Sequence, residues 1–292
     1  MVSFNTLTSQ QGLLNVGWDR RASVIVLETI ITLWVELIMQ SSIKLLVSLL
    51  LASQCFFVFA QSAQHLAEAI LDSQRPAQDK ERDENRKAPE ILEFMGVKQG
   101  DSVLDVIAMG GWYSEVLSYA VGGSGTVYMH NNPIAITERS TDERAERTSR
   151  LKNVNDFVGS IGQIPASSID FAITALNFHD VYNRSEDDSH QLLRQIYSAL
   201  KPGGVLGIID HKGTPGADNV TLHRITFEDA VTSAVEAGFV LTGTSSILKN
   251  SDDDHTLGPF DPSLGRNTDR LVLRLAKPVS YTHLTLPTTY HV

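Results

Sequence analysis

The chain lacks most of the features that identify a protein at sight. Cys55 is the only cysteine in 292 residues, which excludes a disulfide framework and any cysteine-based metal site or nucleophile in the body of the protein. No basic run appears, and 24 Lys and Arg against 34 Asp and Glu give a formal charge of -10. Phosphate repels such a surface, so nucleic acid is not an expected partner. Apolar runs are short and interrupted, below the roughly 20 residues that span a bilayer. There is no internal repeat and no second core. With 42% hydrophobic residues, what is left is material for one large globular domain.

The ends read differently from the middle. Met39 to Ala60, MQSSIKLLVSLLLASQCFFVFA, has Lys44 ahead of an apolar run and small residues before Gln61. That is the pattern of a signal peptide cleaved after Ala60, ranked above a membrane anchor because Ser48, Ser53 and Gln54 interrupt the run. The expectation is a periplasmic or secreted bacterial protein with no stable membrane anchor after cleavage. Residues 1–38 precede the signal and read as upstream translation, since the run Val24 to Ile38 carries Glu28 and Glu36. Residues 279–292, beginning VSYTHLTLPT, read as a translated sequencing adapter. Between them lie a polar arm, 61–88, expected to be solvated for most of its length, and a domain over 89–278.

Within that domain, strand and helix patterns alternate five times and end in two consecutive strands. Helices are expected at Pro89 to Met95, Tyr113 to Val121, Asp142 to Leu151, Glu186 to Leu200 and Phe227 to Ala237. Strands are expected at Val103 to Asp105, Thr126 to His130, Val154 to Val158, Ile169 to Asn177, Val205 to Ile209, Phe239 to Leu248 and Leu271 to Leu275. Nearly continuous apolar runs such as IDFAITALN mark strands buried on both faces. The class is α/β, with an antiparallel hairpin at the end of the sheet.

The stretch Val103 to Leu117, VLDVIAMGGWYSEVL, is a strand ending in an acid, a glycine pair and a helix start. Glycine lets backbone approach a ligand, and the helix start offers free N–H donors, so this is how a chain holds a nucleoside-bearing cofactor. With LKPGGVLGIIDH (Leu200 to His211), it resembles the class I S-adenosylmethionine-dependent methyltransferases. RKAPEILEFMGVKQGDSVLDV, NFHD, DHKGTPG and RNTDRLVLRLAKP resemble, more narrowly, a bacterial family of exported predicted methyltransferases. The resemblance covers about Asp79 to Pro278. It implies a Rossmann-like seven-stranded, mostly parallel sheet with an antiparallel last strand, helices on both faces, and S-adenosyl-L-methionine as cofactor.

It also implies a cofactor site at Asp105, Ala108, Met109, Gly110, Gly111, Tyr113, Asn131 and Asn177. The class places glycines where Ile107, Met109 and Gly111 stand, and an acid for the ribose hydroxyls where Asn131 stands; Ser160 occupies the place of a third acid. His179 and Asp180 follow the fourth strand, and Asp210 and His211 the fifth, at the sheet edge where ligands bind. The expected catalytic set is His179, Asp180 and His211, with histidine as base; the alternative is that these groups cap and pack the loops. Trp112 is either a pocket wall or core. Arg224 either binds an acidic acceptor or pairs with a carboxylate. No pair of histidines has a ligand spacing such as H-x-x-x-H, so no metal is expected. The implied function is methyl transfer to a small-molecule or envelope acceptor; the alternative is an inactive methyltransferase-like ligand-binding protein of the periplasm.

Overall fold

The computed structural model describes residues 65–71 and 74–279. The expected leader, the upstream segment and the terminal segment beyond Val279 lie outside the described residues. After a helical stretch over 65–70 come α1 (Ala77–Lys80), α2 (Asp83–Arg86) and α3 (Ala88–Met95), then β1 (Ser102–Val106), α4 (Trp112–Val121) and β2 (Thr126–Asn131). The chain continues through α5 (Glu138–Arg150), β3 (Val154–Val158), β4 (Ile169–Ala175), α6 (Phe178–Arg184), α7 (Glu186–Ala199) and β5 (Leu200–His211). It closes with α8 (Phe227–Glu236), β6 (Val240–Thr244) and β7 (Arg270–Ala276).

Local chemistry accounts for most boundaries. Gly96, at φ 80°, ends α3 in the left-handed conformation that glycine adopts at no steric cost. Thr137 and Ser140 form a reciprocal capping box on α5, and Thr226 accepts the Asp229 N–H at 3.0 Å to start α8. The seven strands pair in the order β3-β2-β1-β4-β5-β7-β6. β3, β2, β1, β4 and β5 are mutually parallel, while β7 runs antiparallel to both β5 and β6. Period-two alternation then feeds two cores. Val103, Val127 and Phe171 face α3 and α4, and Leu104, Ala172 and Leu206 face α7 and α8. The order reverses between β1 and β4, and their carboxyl ends flank the crevice in which an open α/β sheet binds its ligand.

Three expectations need correction. Residues 178–184 form a helix rather than a loop; α6 has no capping side chain at its start and spans less than two turns, too little for a periodic signal. β5 runs through Lys201-Pro202-Gly203-Gly204, which reads as a turn; a register irregularity between Ile169 and Phe171 absorbs it. The third concerns the polar segment before α3, which keeps most of its described residues at least partly exposed but is docked on the domain through a few buried ones. Leu66, Ile70, Arg75 and Asp79 are buried. Arg75 donates to both oxygens of Asp83 at 2.6 and 2.9 Å. Asp79 accepts from Arg147 at 2.6 Å, and its carbonyl accepts from the Trp112 indole at 3.0 Å. Arg147 also donates to Glu115 and to the Gly110 carbonyl. The segment looks solvated in sequence because the partners that bury Asp79, Arg147 and Trp112, lie on α5 and α4.

Arg147 therefore joins the N-terminal segment, α4 and the glycine pair. Truncating one member of a buried ionic group strands the others, at about 3–5 kcal/mol. Arg147→Met is expected to lower the urea-unfolding free energy by that order; a loss under about 1 kcal/mol would show that the network is not stabilising.

Candidate active site

The loop after β1 carries the unusual backbone. Ile107 and Met109 both adopt positive φ, 55° and 53°, a region costing an L-residue roughly 1–2 kcal/mol. These are two of the places where a glycine is expected. The conformation is held from outside by side chains of β2 and of Asn177, the second residue after β4. The Ile107 N–H donates to His130 Nδ1 at 3.3 Å, and its carbonyl accepts from Asn177 Nδ2 at 2.8 Å. The Met109 N–H donates to Asn131 Oδ1 at 2.8 Å, and Asn131 Nδ2 donates back to the Met109 carbonyl at 3.1 Å. Since His130 Nδ1 accepts, Nε2 carries the proton and donates to the Gly159 carbonyl at 3.1 Å. Burial lowers its pKa to about 4, so the ring is neutral. Gly111, at φ 82°, has no room for a side chain, which would run into Met129 and Arg147.

These contacts reassign two expected cofactor ligands. Asn131 is 1% exposed and does not line the cavity; its amide is closed onto Met109, so it is not the ribose acceptor. The exposed Asn132 next to it lines the cavity instead. Asn177 lines the cavity but spends its amide N–H on Ile107. Asp105 is buried and accepts from the Ser114 hydroxyl at 2.6 Å; burial raises its pKa to about 6. Ala108, Met109, Gly110, Gly111, Trp112 and Tyr113 all line the cavity, Met109 being 41% exposed. The cavity measures about 1710 Å³ and runs from Ser160 and Ile161, past this loop, to His179 and His211.

At that far end the structure gathers three histidines. His179 Nδ1 bonds Asp210 Oδ1 at 2.6 Å and its Nε2 bonds Asp180 Oδ1 at 3.2 Å. Both ring nitrogens face carboxylates, so both carry protons. Burial alone would lower its pKa, but the Asp180 and Asp210 hydrogen bonds outweigh that and raise it to about 9. In turn Asp180 is lowered to about 2, chiefly by His179. His211, whose Nδ1 bonds Thr268 at 2.5 Å, is driven down to about 3 by burial and stays neutral. Its ring centroid lies 5.4 Å from that of His179. The general-base assignment for His179 is therefore corrected: at neutral pH it is an imidazolium, a charged hydrogen-bond donor. Asp210 is fully buried and also accepts the backbone N–H groups of His179 and His211, at 2.7 and 2.8 Å.

His223, on the loop after β5, was not in the expected catalytic set. It bonds Asp180 at 3.0 Å, which brings one atom each of His179, Asp180 and His223 within 4.8 Å of one another. Spacing along the chain could not show this trio, because the fold and not a short motif assembles it. Arg224 is fully buried, held by Asp253 at 2.8 and 3.0 Å and by the carbonyls of Lys212 and Leu257. It anchors the loop before β7 and does not reach the cavity.

Comparison with known proteins agrees with this geometry. A solved S-adenosylmethionine-dependent methyltransferase from Aquifex aeolicus superposes with a TM-score of 0.52 at 20% identity, covering 70% of this chain and 98% of that one. The [4+2]-cyclase SpnF superposes with a TM-score of 0.51 at 18% identity, covering 67% and 81%. The seven-stranded sheet and its helices thus have the Rossmann-like fold of S-adenosylmethionine-dependent methyltransferases. Residues 82–217 match the ubiE/COQ5 methyltransferase family. The demethylmenaquinone methyltransferase of Staphylococcus aureus (strain Newman) is 28% identical over 116 residues, 40% of this chain and 45% of that protein. The match thus spans less than half the length of these curated relatives. The residues present fit the cofactor: the loop backbone is open to the cavity at Ala108 and Gly110, and Asn132, Gly159 and Ser160 continue the same wall.

Restoring the acid of the class at Asn131 is expected to do harm. In Asn131→Asp the Met109 carbonyl loses its donor and faces a buried carboxylate, costing about 1–3 kcal/mol. A fall in thermal midpoint without tighter binding of S-adenosylhomocysteine is the expected result; tighter binding would return Asn131 to the ribose. For His179, a folded pKa of about 9 against an ordinary 6.5 means stability that is complete below pH 6.5 and lost as pH rises through 9. Denaturation between pH 6.5 and 9 is expected to show that decline in the wild type, and a flatter profile in His179→Gln.

Proposed function

We propose that this protein transfers a methyl group from S-adenosylmethionine to an acceptor bound between the β1 loop and the three histidines. The observation that carries this reading is one continuous cavity joining the loop of the cofactor to a polar cluster on β5 and α6. The cofactor supplies a methyl group on a sulfonium, displaced in line by a nucleophile, so catalysis rests on alignment and exclusion of water. The loop from Ile107 to Gly111, rigidified by His130, Asn131 and Asn177, sets the donor. His179 keeps its protons at both nitrogens, donating one to Asp210 and one to Asp180, and acts on the acceptor through its positive charge, which favours an acceptor that arrives already deprotonated. Asp210 orients that ring, and Asp180 and His223 close the rim beside it. His211, neutral and buried, shapes the wall without taking a proton.

A second reading, a methyltransferase-like protein that binds a ligand without transfer, draws on the loop itself: neither Ile107 nor Met109 is glycine, and Asn131 is turned away. The same fold in a protein named as a cyclase supports keeping it. We also propose export to the periplasm, on the pattern of residues 39–60; an N-terminus near Gln61 in the purified native protein tests that proposal. Among the described residues no helix is long and apolar enough to cross a membrane.

Titration calorimetry with S-adenosylmethionine and S-adenosylhomocysteine separates the two readings, with micromolar binding of both expected. No heat at high micromolar ligand would overturn the enzyme. With a turning-over acceptor, His179→Gln is expected to lower kcat by about a hundredfold, the order seen when one charge-stabilising donor is removed. Binding of S-adenosylhomocysteine should be unchanged, since His179 lies beyond the cofactor loop.

A further inference from the structure

The side chains gathered at the far end of the cavity have the chemistry of a ligand set. His179, Asp180 and His223 each bring one nitrogen or oxygen within 4.8 Å of the other two. Asp180 Oδ1 stands 3.2 Å from His179 Nε2 and 3.0 Å from His223 Nδ1. Ligands in a tetrahedron around a zinc-sized cation, at bond lengths of about 2.0–2.1 Å, lie roughly 3.3–3.4 Å from one another. Two of the three edges are therefore close to those of a coordination polyhedron.

The groups behind the trio support it as metal ligands are supported. His179 is 3% exposed, and its Nδ1 is tied at 2.6 Å to the fully buried Asp210. A carboxylate behind one ring nitrogen fixes the tautomer, aims the other nitrogen and raises its basicity. A ring that is a better base is also a better ligand. On the other side, the loop that carries His223 is fastened beneath it. Asn183 Nδ2 donates to the carbonyls of Asn219 and Arg224, at 3.3 and 3.1 Å, and Arg224 is itself buried against Asp253. The side chains of Asp180 and His223 are about half exposed, and His179 and Asp180 line the cavity. An ion held by the trio thus keeps positions open to water or to a ligand.

We infer that His179, Asp180 and His223 bind a first-row divalent cation, through His179 Nε2, a carboxylate oxygen of Asp180 and His223 Nδ1. Two imidazoles and one carboxylate suit zinc or ferrous iron; magnesium takes oxygen ligands instead. Binding exchanges one positive group for another. The proton on His179 Nε2 leaves to solvent, the ion takes its place, and His223 binds as the tautomer protonated at Nε2. The charge at this point rises by one, from a proton to a dication. An acceptor hydroxyl in an open position would then give up its own proton near neutral pH, as zinc-bound water does. That role rests on the methyltransferase reading; the cation site does not.

The probe is zinc, added to the intact protein after stripping with EDTA and read by competition with a chromophoric chelator. One equivalent is expected to bind with micromolar or lower Kd, and millimolar magnesium is not expected to displace it. His223→Gln alters an exposed side chain and is expected to weaken zinc at least about tenfold, the lower bound for disturbing a metal site even from its outer shell. Far-UV circular dichroism and S-adenosylhomocysteine binding should be unchanged in that variant. His190, paired with Glu236 on the surface, supplies the control, and His190→Gln is expected to bind zinc as the wild type does. No zinc bound at high micromolar concentration would overturn the inference. So would unchanged affinity in His223→Gln or an equal loss in His190→Gln, either of which would leave only adventitious surface binding, and so would displacement by magnesium. S-adenosylhomocysteine titrated into the same samples separates the two readings. If it does not bind while zinc does, the methyltransferase reading fails and takes the acceptor role with it, and the cation site stands. If it binds and zinc does not, the cation site alone falls.

Discussion

The left-handed backbone at Ile107 and Met109 is the constraint on which the site depends. A glycine loop adopts that shape at no steric cost; here two side-chain-bearing residues adopt it because hydrogen bonds impose it. His130 and Asn131 reach across from β2, Asn177 from the end of β4, and Arg147 from α5. Each spends a polar group that a glycine-rich loop leaves free. The exchange explains why the residue at the ribose position is an amide: an amide both donates to and accepts from the Met109 backbone, and a carboxylate cannot.

Electrostatics differ along the cavity. Near the β1 loop His130 is held down to about 4 and is neutral, while Asp105, raised to about 6 by burial, is turned onto Ser114. Toward β5 the His179 imidazolium stands between two carboxylates, Asp180 and Asp210, so its charge is compensated where it lies.

Most of the architecture was legible because it rests on local signals. Apolar runs, the Thr226 cap and the glycines at 96, 111 and 238 placed strands and helices within a few residues, and the seven-stranded order followed from the resemblance those elements carried. The site was legible by location but less so by role. His179 and His211 stand where a sheet edge puts functional groups, yet what separates an imidazolium from a neutral ring is burial and partners many positions away. The burial of Asp79 depended on Arg147, 68 positions on. The role of Asn131 depended on which way one amide turns. Such facts are properties of packing, and no spacing rule encodes them.

The anchoring of Arg224 has a consequence for selectivity. Its two bonds to Asp253 and two to Leu257 fasten the long connection before β7 to the floor of the domain. Phe260 and Arg266 ride on that fastened segment. The wall they form is thus built before any ligand arrives, so little ordering entropy remains to oppose binding on that side. A ligand on that side would then be selected by exclusion: a molecule whose shape or charge does not match a preformed wall is turned away at the rim.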